Sequence, residues 1–417
     1  MGYRTSSTDC IVRLLPLRKL SRQQDALCLT LRQEAGRCWT DMLQAHLESR
    51  GGKWLTSVDM SKQFKGCYRL HSQSIQALSE KLDANVDTAR ELRKEHPEAR
   101  YPYRAKQYQT VTWKRSAIHW TEDGRLLLSN GRKQVPLVIR APGEYKGADI
   151  CRAELTWRAD AYELCLTLDT HECNPPPREH GQRAGGDLGE RNTVAITTER
   201  GAALVVSGGA LRSVKRLRNK RYASLDALIA RCKPGSKRHR KLLKSKAKAS
   251  ARFCRQQRDI QHKSSHLAAE FCEANGVRSI ALGDVRDIQD GVDLGAKVNQ
   301  KISQWPHGQF VKYLTYKAAR YGIRVEQIPE DYSTRTCSHC GCVMKRAPRG
   351  RVFTCPGCGA VIHRDVNGAS NICSRARYGS YACVQAQTIM YLRPLGRSRA
   401  FDTGQRCLRR ARTPFGL

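Results

Sequence analysis

Two Cys-x-x-Cys pairs place the strongest constraint on how this chain can fold. Cys337 and Cys340 form the first pair and Cys355 and Cys358 the second, with fourteen residues between the pairs. A two-residue spacing lets both thiolates of a pair point at one ion, and four thiolates complete the tetrahedral coordination that structural Zn²⁺ prefers. The sequence therefore predicts a four-cysteine zinc ribbon at about residues 333–362.

The same four cysteines allow a second interpretation, as unrelated thiols or a redox pair. His339 and Cys342 lie inside the first knuckle, but a closed four-cysteine site does not require them. The segment between the pairs, GCVMKRAPRGRVFT, suits a basic hairpin. The remaining cysteines are scattered along a long chain, which favours buried reduced thiols over a disulfide scaffold.

The charge of the chain indicates a polyanionic partner. Its 417 residues carry 74 lysines and arginines against 38 acids, a formal net charge of +36. A balance this basic in a soluble chain indicates nucleic acid first. Residues 211–263 hold 19 of the basic residues against only Asp226 and Asp259, in a helical pattern. Such a run is often a solvated helix face, so it supports the prediction without deciding it.

Hydropathy predicts neither a membrane span nor a secretion signal. No uninterrupted apolar stretch reaches the roughly 18 residues that a membrane helix needs. The first residues, MGYRTSSTDC, lack an apolar signal core. We therefore expect a cytoplasmic protein with no membrane partner.

The pattern of apolar residues predicts an α+β protein of several domains. A strand at 10–17 is followed by helical patterns, and from about residue 101 the chain alternates in the manner of strands. The Pro- and Gly-rich segment 171–186 indicates a domain boundary. We expect a first region at 1–180, a second at 181–373 and a basic, disordered tail at 374–417.

Three aspartates occupy places where a metal-dependent nuclease holds its ions. Asp187 lies on the first strand of the second region, Asp284 follows the strand VRSIALG, and Asp365 begins a helix after the ribbon. Hard Mg²⁺ ions need oxygen ligands that converge from several elements, and two ions flank a scissile phosphate. A single aspartate at a strand end or helix start is commonplace, so the surrounding sequence decides.

That sequence resembles the TnpB-type proteins of insertion sequences, relatives of the type V CRISPR effectors. Three landmarks carry the resemblance, namely GGDLGERNTVAI, the double Cys-x-x-Cys ribbon and HRDVNGASNI. Upstream, LHSQSIQAL and YPYRAKQYQTVTW resemble the recognition-helix and wedge segments of the family, and YSTRTCSHCG resembles its motif before the first knuckle. The resemblance covers the chain to about residue 373.

The resemblance implies a fold and a function. It implies a wedge β-barrel with a helical recognition insert, followed by a RuvC-like domain of RNase H fold (α/β) that the zinc ribbon interrupts. It also implies an RNA-guided DNA endonuclease that uses Mg²⁺, as two ions, and Zn²⁺. The implied partners are a guide RNA and double-stranded target DNA next to a short recognition motif.

The active site implied by the resemblance is an Asp, a Glu and an Asp. The first and last correspond to Asp187 and Asp365. The glutamate of the family normally ends the strand that here finishes in Gly283-Asp284. The expected position therefore carries no side chain at all.

Three interpretations of this departure remain open. Glu330, which ends the next predicted strand, could supply the carboxylate from there, as in TnpB relatives and Fanzor proteins with a relocated glutamate. Asp284 could serve, although alternation along the strand turns it to the face opposite position 283. The site could also be inactive. Glu326 lies further inside the strand, and Asp331 is expected to face away.

Our leading hypothesis is cleavage with Asp187, Glu330 and Asp365 as magnesium ligands. A nuclease-inactive, RNA-guided DNA-binding repressor is the alternative that the missing glutamate favours. The sequence also does not distinguish a transposon-encoded nuclease from a compact type V CRISPR effector. The genes beside its own would separate the two. It makes no prediction of oligomeric state.

Overall fold

A computed structural model describes residues 8–286, 293, 295–346, 348 and 350–394, with side chains from residue 10 onward. The chain divides into two compact units, Met1–Cys173 and Asn174–Leu417. This division falls inside the Pro- and Gly-rich segment 171–186. The architecture is a mixed α/β one in more than one domain, as the sequence predicted.

The first unit combines helices with antiparallel strands. Its helices are α1 (Arg22–Glu48), α2 (Ser57–Gln63) and α3 (Ser72–Glu95). Its strands are β1 (Thr8–Leu17), β2 (Val111–Lys114), β3 (Ile118–Trp120), β4 (Arg125–Leu128), β5 (Leu137–Arg140), β6 (Ile150–Trp157) and β7 (Tyr162–Cys173). They pair as a four-stranded sheet in the order β1-β7-β6-β2 and a three-stranded sheet in the order β3-β4-β5. The described strands of this unit thus form two separate sheets, and a wedge barrel stays a prediction.

The helices of the first unit pack through apolar stripes. In α1, Leu31, Ala35, Trp39 and Met42 are buried at spacings of three and four residues, the period of one helix face. Ser21 caps the N-terminus of α1 in a capping box with Gln24. These stripes join the apolar faces of the strands in one hydrophobic core.

The second unit is built on one six-stranded sheet. Its strands are β8 (Gln182–Leu188), β9 (Asn192–Thr198), β10 (Ala202–Ser207), β11 (Val277–Gly283), β12 (Arg324–Ile328) and β15 (Thr388–Leu392), in the order β12-β11-β8-β9-β10-β15. The central strands β8, β9 and β10 pair antiparallel, while β11 and β12 extend the sheet in parallel from β8. Parallel pairing brings the C-terminal ends of β8, β11 and β12 to one edge of the sheet.

Helices and the ribbon complete the second unit. The helices are α4 (Gly209–Ala230), α5 (Lys237–Ala274), α6 (Ala296–Ser303), α7 (His307–Ala319) and α8 (Arg364–Tyr378), and the ribbon carries the hairpin β13 (Val352–Thr354) with β14 (Val361–His363). Helix α7 buries Phe310, Leu314 and Ala318, the stripe that the sequence predicted. Within the part of the chain that the structure describes, no helix has the length and hydrophobicity of a membrane span.

The C-terminal tail requires a correction. We expected disorder from residue 374, but α8 continues to Tyr378 and β15 pairs in parallel with β10. Strand β15 has five residues, too few for alternation to be recognised in the sequence, and its backbone is satisfied by the edge of β10. Residues 395–417, which make up the rest of the predicted tail, lie outside the described residues.

Candidate active site

The four predicted zinc ligands lie together. The Sγ atoms of Cys337, Cys340, Cys355 and Cys358 all lie within 4.8 Å of one another, with Cys337 to Cys358 at 3.8 Å and Cys340 to Cys355 at 3.5 Å. A tetrahedron with Zn–S bonds of about 2.3 Å has S···S edges of about 3.8 Å, so the cluster fits one Zn²⁺. The backbone N–H of His339 donates to Cys337 Sγ at 3.4 Å, which favours the thiolate.

Asp187 lies near the C-terminal end of β8, in the centre of the sheet. Its side chain is buried, and it faces the first turns of α8. A Cβ placed at Gly368 of α8 would come within 2.8 Å of Asp187 Oδ2. The absence of a side chain at Gly368 therefore lets the helix lie directly against this carboxylate.

Asp365 approaches the same region from the N-terminus of α8. The side chain is buried, and its Oδ2 accepts hydrogen bonds from Asn192 Nδ2 at 2.7 Å and from Arg351 Nη1 at 2.6 Å. Asn192 begins β9, and Arg351 precedes the ribbon strand β13. Side chains from two other segments of the chain thus fix the orientation of this carboxylate.

Glu330 fills the space that Gly283 leaves open. The two strands pair so that Gly283 of β11 is opposite Ile328 of β12, and Glu330 follows two residues later. A Cβ built at Gly283 would overlap Glu330 Oε2 and lie 3.1 Å from Glu330 Cβ. The carboxylate of Glu330 therefore occupies the place where a side chain at position 283 would begin.

Two carboxylates of the site have raised pKa values. Burial raises the pKa of Asp187 well above its usual range, and the charges of Asp365 and Glu330 raise it further. Burial also raises the pKa of Glu330 to about 7, with smaller contributions from Asp284 and Asp331. Buried acids whose pKa values are raised in this way favour either a proton or a cation close by.

The competing acids are differently placed. Asp284 forms an ion pair with Arg286 at 2.5 Å, and this hydrogen bond lowers the pKa of Asp284. Glu326 is exposed on β12, and the Asp331 side chain is 74% exposed. Each of these three carboxylates has solvent or a cationic partner, whereas Glu330 Oε2 is buried and has neither.

The site fits Mg²⁺ by its donor chemistry. Asp187, Glu330 and Asp365 offer carboxylate oxygens, the ligands that Mg²⁺ prefers, and Glu330 Oε2 is buried without a hydrogen-bond partner. Their oxygens are not all within 4.8 Å of one another, so one shared ion requires side-chain movement.

A second group of possible ligands lies in the first unit. Asp149, Asp169 and His171 have ligand atoms within 4.8 Å of one another. Arg115 pairs with Asp149 at 2.9 Å and with Asp169 at 3.0 Å. A guanidinium already neutralises these carboxylates, so an ion-pair network explains the group.

The sequence did not identify the side chains that support the carboxylates. Asn192 and Arg351 contact Asp365, and Asn367 and Asn371 of α8 bind the backbone at the base of the ribbon. Two asparagines four residues apart inside a helix were the available signal, because asparagine is a poor helix former.

Two protein-family models match the chain. The model of a probable transposase, OrfB_IS605, matches residues 164–289. The model of the Cas12f1-like TNB domain matches residues 307–372. The first match contains Asp187 and Gly283, and the second contains Glu330, the cysteine cluster and Asp365.

Curated relatives share part of their length with this chain. A TnpB-like protein, L770, of Acanthamoeba polyphaga mimivirus is 25% identical over 262 residues, 58% of this chain and 49% of that protein. A putative RNA-guided DNA endonuclease of Streptomyces pristinaespiralis is 27% identical over 278 residues, 66% of this chain and 64% of that protein. The Cas12f1 endodeoxyribonuclease of Sulfoacidibacillus thermotolerans is 28% identical over 112 residues, 27% of this chain and 25% of that protein. The chain thus spans about half the length of the mimivirus relative.

A solved structure shares the fold. The Cas12f1 chain in a cryo-EM structure of a Cas12f1–sgRNA–target DNA complex superposes with a TM-score of 0.63 at 13% identity. The alignment covers 85% of this chain and 83% of that one. The similarity therefore extends over both units of the chain.

Proposed function

Since the chain is a TnpB-type relative of the compact type V effectors, we propose that it is an RNA-guided DNA endonuclease. The observation that carries this proposal is the Glu330 carboxylate in the space beside Gly283. It supplies a third carboxylate, with its Oε2 buried, whose charge acts on Asp187 at the edge where Asp365 enters. The glutamate missing from the usual strand is thereby replaced from the neighbouring one.

The sheet supports a RuvC assignment for the second unit. Three antiparallel strands, β8 to β10, are extended by the parallel strands β11 and β12, the strand arrangement expected of an RNase H fold. The proposed catalytic acids come from the first strand, the end of the last parallel strand and the helix after the ribbon. This distribution is the convergence from different elements that a metal-dependent nuclease requires.

The chain's own residues would prepare the site for phosphodiester hydrolysis. Asp187, Glu330 and Asp365 would hold Mg²⁺, which when bound activates water and stabilises the leaving oxygen. Asn192 and Arg351 orient Asp365, and the burial of Asp187 and of Glu330 Oε2 keeps bulk water from satisfying their charge. The four cysteines would hold Zn²⁺ and so fix the ribbon that carries Arg351.

The basic surface supports guide RNA and target DNA as partners. Helices α4 and α5 form a hairpin that carries most of the basic run 211–263. In the type of recognition proposed, base pairing between guide and target reads sequence, while the protein grips the backbone and recognises a short adjacent motif. A densely positive protein surface favours such backbone contacts, because it attracts the phosphates.

Variants of the acids test the proposal. Asp187→Ala, Glu330→Ala and Asp365→Ala should each bind target DNA with the matched guide RNA and fail to cut it, because the proposed metals act on the transition state. Asp284→Ala should still cut, and so should the matched control Glu326→Ala, which removes an exposed glutamate of β12, the strand that precedes Glu330. Plasmid cleavage in Mg²⁺ and gel-shift binding are the measurements. Cleavage by Glu330→Ala at the wild-type rate would contradict the role of Glu330.

A nuclease-inactive repressor is the second candidate. Two observations favour it. Arg351 and Asn192 already donate hydrogen bonds to Asp365. The oxygens of Asp187, Glu330 and Asp365 are not all within 4.8 Å of one another. Wild-type protein that binds its guided target in Mg²⁺ but never cuts it would support this function. A compact type V effector would have the same biochemistry and differ in having a CRISPR array beside its gene.

A further inference from the structure

The first unit contains a cavity whose side chains are not part of the proposed cleavage site. It lies between the C-terminal end of α1, the segment that follows α1, the C-terminal half of α3 and the segment that follows α3. Its volume is about 430 Å³, within the range of roughly 300–1,000 Å³ typical of ligand pockets. The side chains that define its chemistry are His46, Arg50, Trp54, Arg90, Tyr101 and Tyr103.

The walls of the cavity are aromatic. Tyr101 and Tyr103 stack with ring centroids 5.2 Å apart and planes at 11°. The rings of His46 and Trp54 have centroids 4.7 Å apart at an angle of 31°. Trp54 is 39% exposed, although a large apolar side chain gains from burial. A flat π-system could therefore stack within this cavity.

His46 points to a ligand with hydrogen-bonding groups. The residue is only 4% exposed, and both ring nitrogens, Nδ1 and Nε2, are buried without a hydrogen-bond partner. Buried polar atoms are nearly always paired, because an unpaired one loses its hydration without compensation. His46 lines the cavity, so a rotation of its ring that turns one nitrogen inward would let a ligand with a polar ring edge supply the missing partner. A purely apolar peptide side chain would leave both nitrogens unpaired.

Arginines give the cavity a positive rim. Arg50 and Arg90 both border it, and Arg90 is held by Asp87 at 2.8 Å. A ligand that combines a flat ring, a polar ring edge and a negative charge is a nucleotide. We propose that this cavity binds one unstacked nucleobase of a nucleic-acid strand, with its phosphate at the arginine rim.

This proposal rests on the nucleic-acid partner of the proposed function, but not on cleavage. Binding is therefore measured with the full chain without added Mg²⁺. The probes are hexanucleotides of uridine, of adenosine and of thymidine, and a hexamer of abasic residues that has the same phosphates and no bases. The RNA and DNA arms distinguish a guide RNA base from a base of a DNA strand.

Trp54→Ala should weaken binding of the hexanucleotide that the wild type binds most tightly. We expect a loss of roughly five- to a hundred-fold, the effect of losing one aromatic stacking partner. The substitution should leave the weaker binding of the abasic hexamer unchanged. Trp157→Ala is the matched control, because Trp157 is a similarly exposed tryptophan of the same unit at 42% and lies outside the cavity. His46→Phe should keep stacking and reduce discrimination between uridine and adenosine hexamers.

The result is interpretable even if a variant is unstable. Photocrosslinking of wild-type protein to 5-iodouridine oligonucleotides should place the crosslink on Trp54, Tyr101 or Tyr103 by mass spectrometry. Equal binding of the abasic and uridine or thymidine hexamers, or crosslinks confined to other residues, would overturn the base pocket. Those outcomes would leave guided cleavage intact, whereas loss of guided cleavage alone would leave the pocket intact.

Discussion

Gly283 and Glu330 form a complementary pair at the residue scale. One position carries no side chain, and the other supplies a carboxylate to the same space. The replacement depends on register, because β11 and β12 pair in parallel with Gly283 opposite Ile328. If the two positions share one role, a glutamate at position 283 should replace Glu330 only when residue 330 is changed to glycine at the same time.

We therefore predict the outcome of a swap. Gly283→Glu should abolish cleavage, because its side chain would collide with Glu330. The double variant Gly283→Glu/Glu330→Gly should recover a measurable fraction of wild-type cleavage, above that of Glu330→Gly alone. Rates of plasmid cleavage with matched guide RNA are the measurement. A double variant no more active than Glu330→Gly would mean that the two positions do not share one role.

The raised pKa of Glu330 predicts how stability depends on pH. An unfolded glutamate has a pKa of about 4.3, so between about pH 4.5 and 7 the folded state binds more protons than the unfolded chain. Stability should therefore fall as pH rises through this window, and it stays low above a pKa of about 7. Glu330→Gln removes the ionisation and should raise the thermal midpoint at pH 8, with a smaller gain at pH 5.

Mg²⁺ supplies the control for this prediction. A cation favours the ionised carboxylate, so added Mg²⁺ should raise the thermal midpoint of the wild type more at pH 8 than at pH 5. It should raise that of Glu330→Gln less. Equal midpoints for both proteins at pH 8, with and without Mg²⁺, would count against a metal-binding Glu330.

At the element scale, the four-cysteine ribbon is a small unit with little apolar core among its described residues. Its buried apolar residues are Cys337, Phe353 and Cys355. A segment of this size requires a metal or another staple to hold its shape. The ribbon also carries Arg351 to Asp365, so its shape bears on the site.

We predict one zinc per chain, bound by Cys337, Cys340, Cys355 and Cys358. Elemental analysis of chelator-washed protein should give a ratio near one, and Cys355→Ser should lower it together with the cleavage rate. Cys342→Ser is the control, because Cys342 lies beside the knuckles outside the four-thiolate cluster. Metal-free protein that remains folded and active would contradict this prediction.

Helix α8 holds the base of the ribbon through asparagine side chains. Asn367 accepts from Ser338 N and donates to Thr336 O, both at 2.8 Å, and its side chain is fully buried. Because the same helix begins with Asp365, this contact couples the ribbon to the carboxylate site.

Asn367→Ala should therefore lower both stability and cleavage. It leaves the buried Ser338 N–H unpaired, at a cost of about 1–3 kcal/mol, while Thr336 O keeps its hydrogen bond from Asn371 Nδ2 at 2.7 Å. Ser370→Ala is the matched control on α8, because the buried Ser370 hydroxyl has no hydrogen-bond partner to lose. Thermal unfolding and plasmid cleavage are the measurements. Equal loss in both variants would assign the effect to helix packing.

At the scale of the whole molecule, net charge dominates. A charge of +36 predicts that the affinity for guide RNA falls steeply with salt, because bound phosphates release counterions. Lys241, Lys244 and Lys248 are exposed on α5. Replacing all three by glutamine should lower the slope of log affinity against log salt by about 3, if each contacts a phosphate. An unchanged slope would place the RNA on another surface.

The sequence by itself determined the features that depend on local spacing. Two Cys-x-x-Cys pairs placed the thiolates, the stripe Phe310, Leu314 and Ala318 placed α7, and the motifs indicated the relationship to TnpB-type proteins. The tertiary structure decided which distant side chains meet. The contact of Glu330 with the space at Gly283 depends on the pairing of two strands more than forty residues apart along the chain, and that of Arg351 with Asp365 on the path of the ribbon hairpin. Local sequence patterns do not specify which strands pair or in which register, because strand pairing is fixed by the packing of the whole sheet.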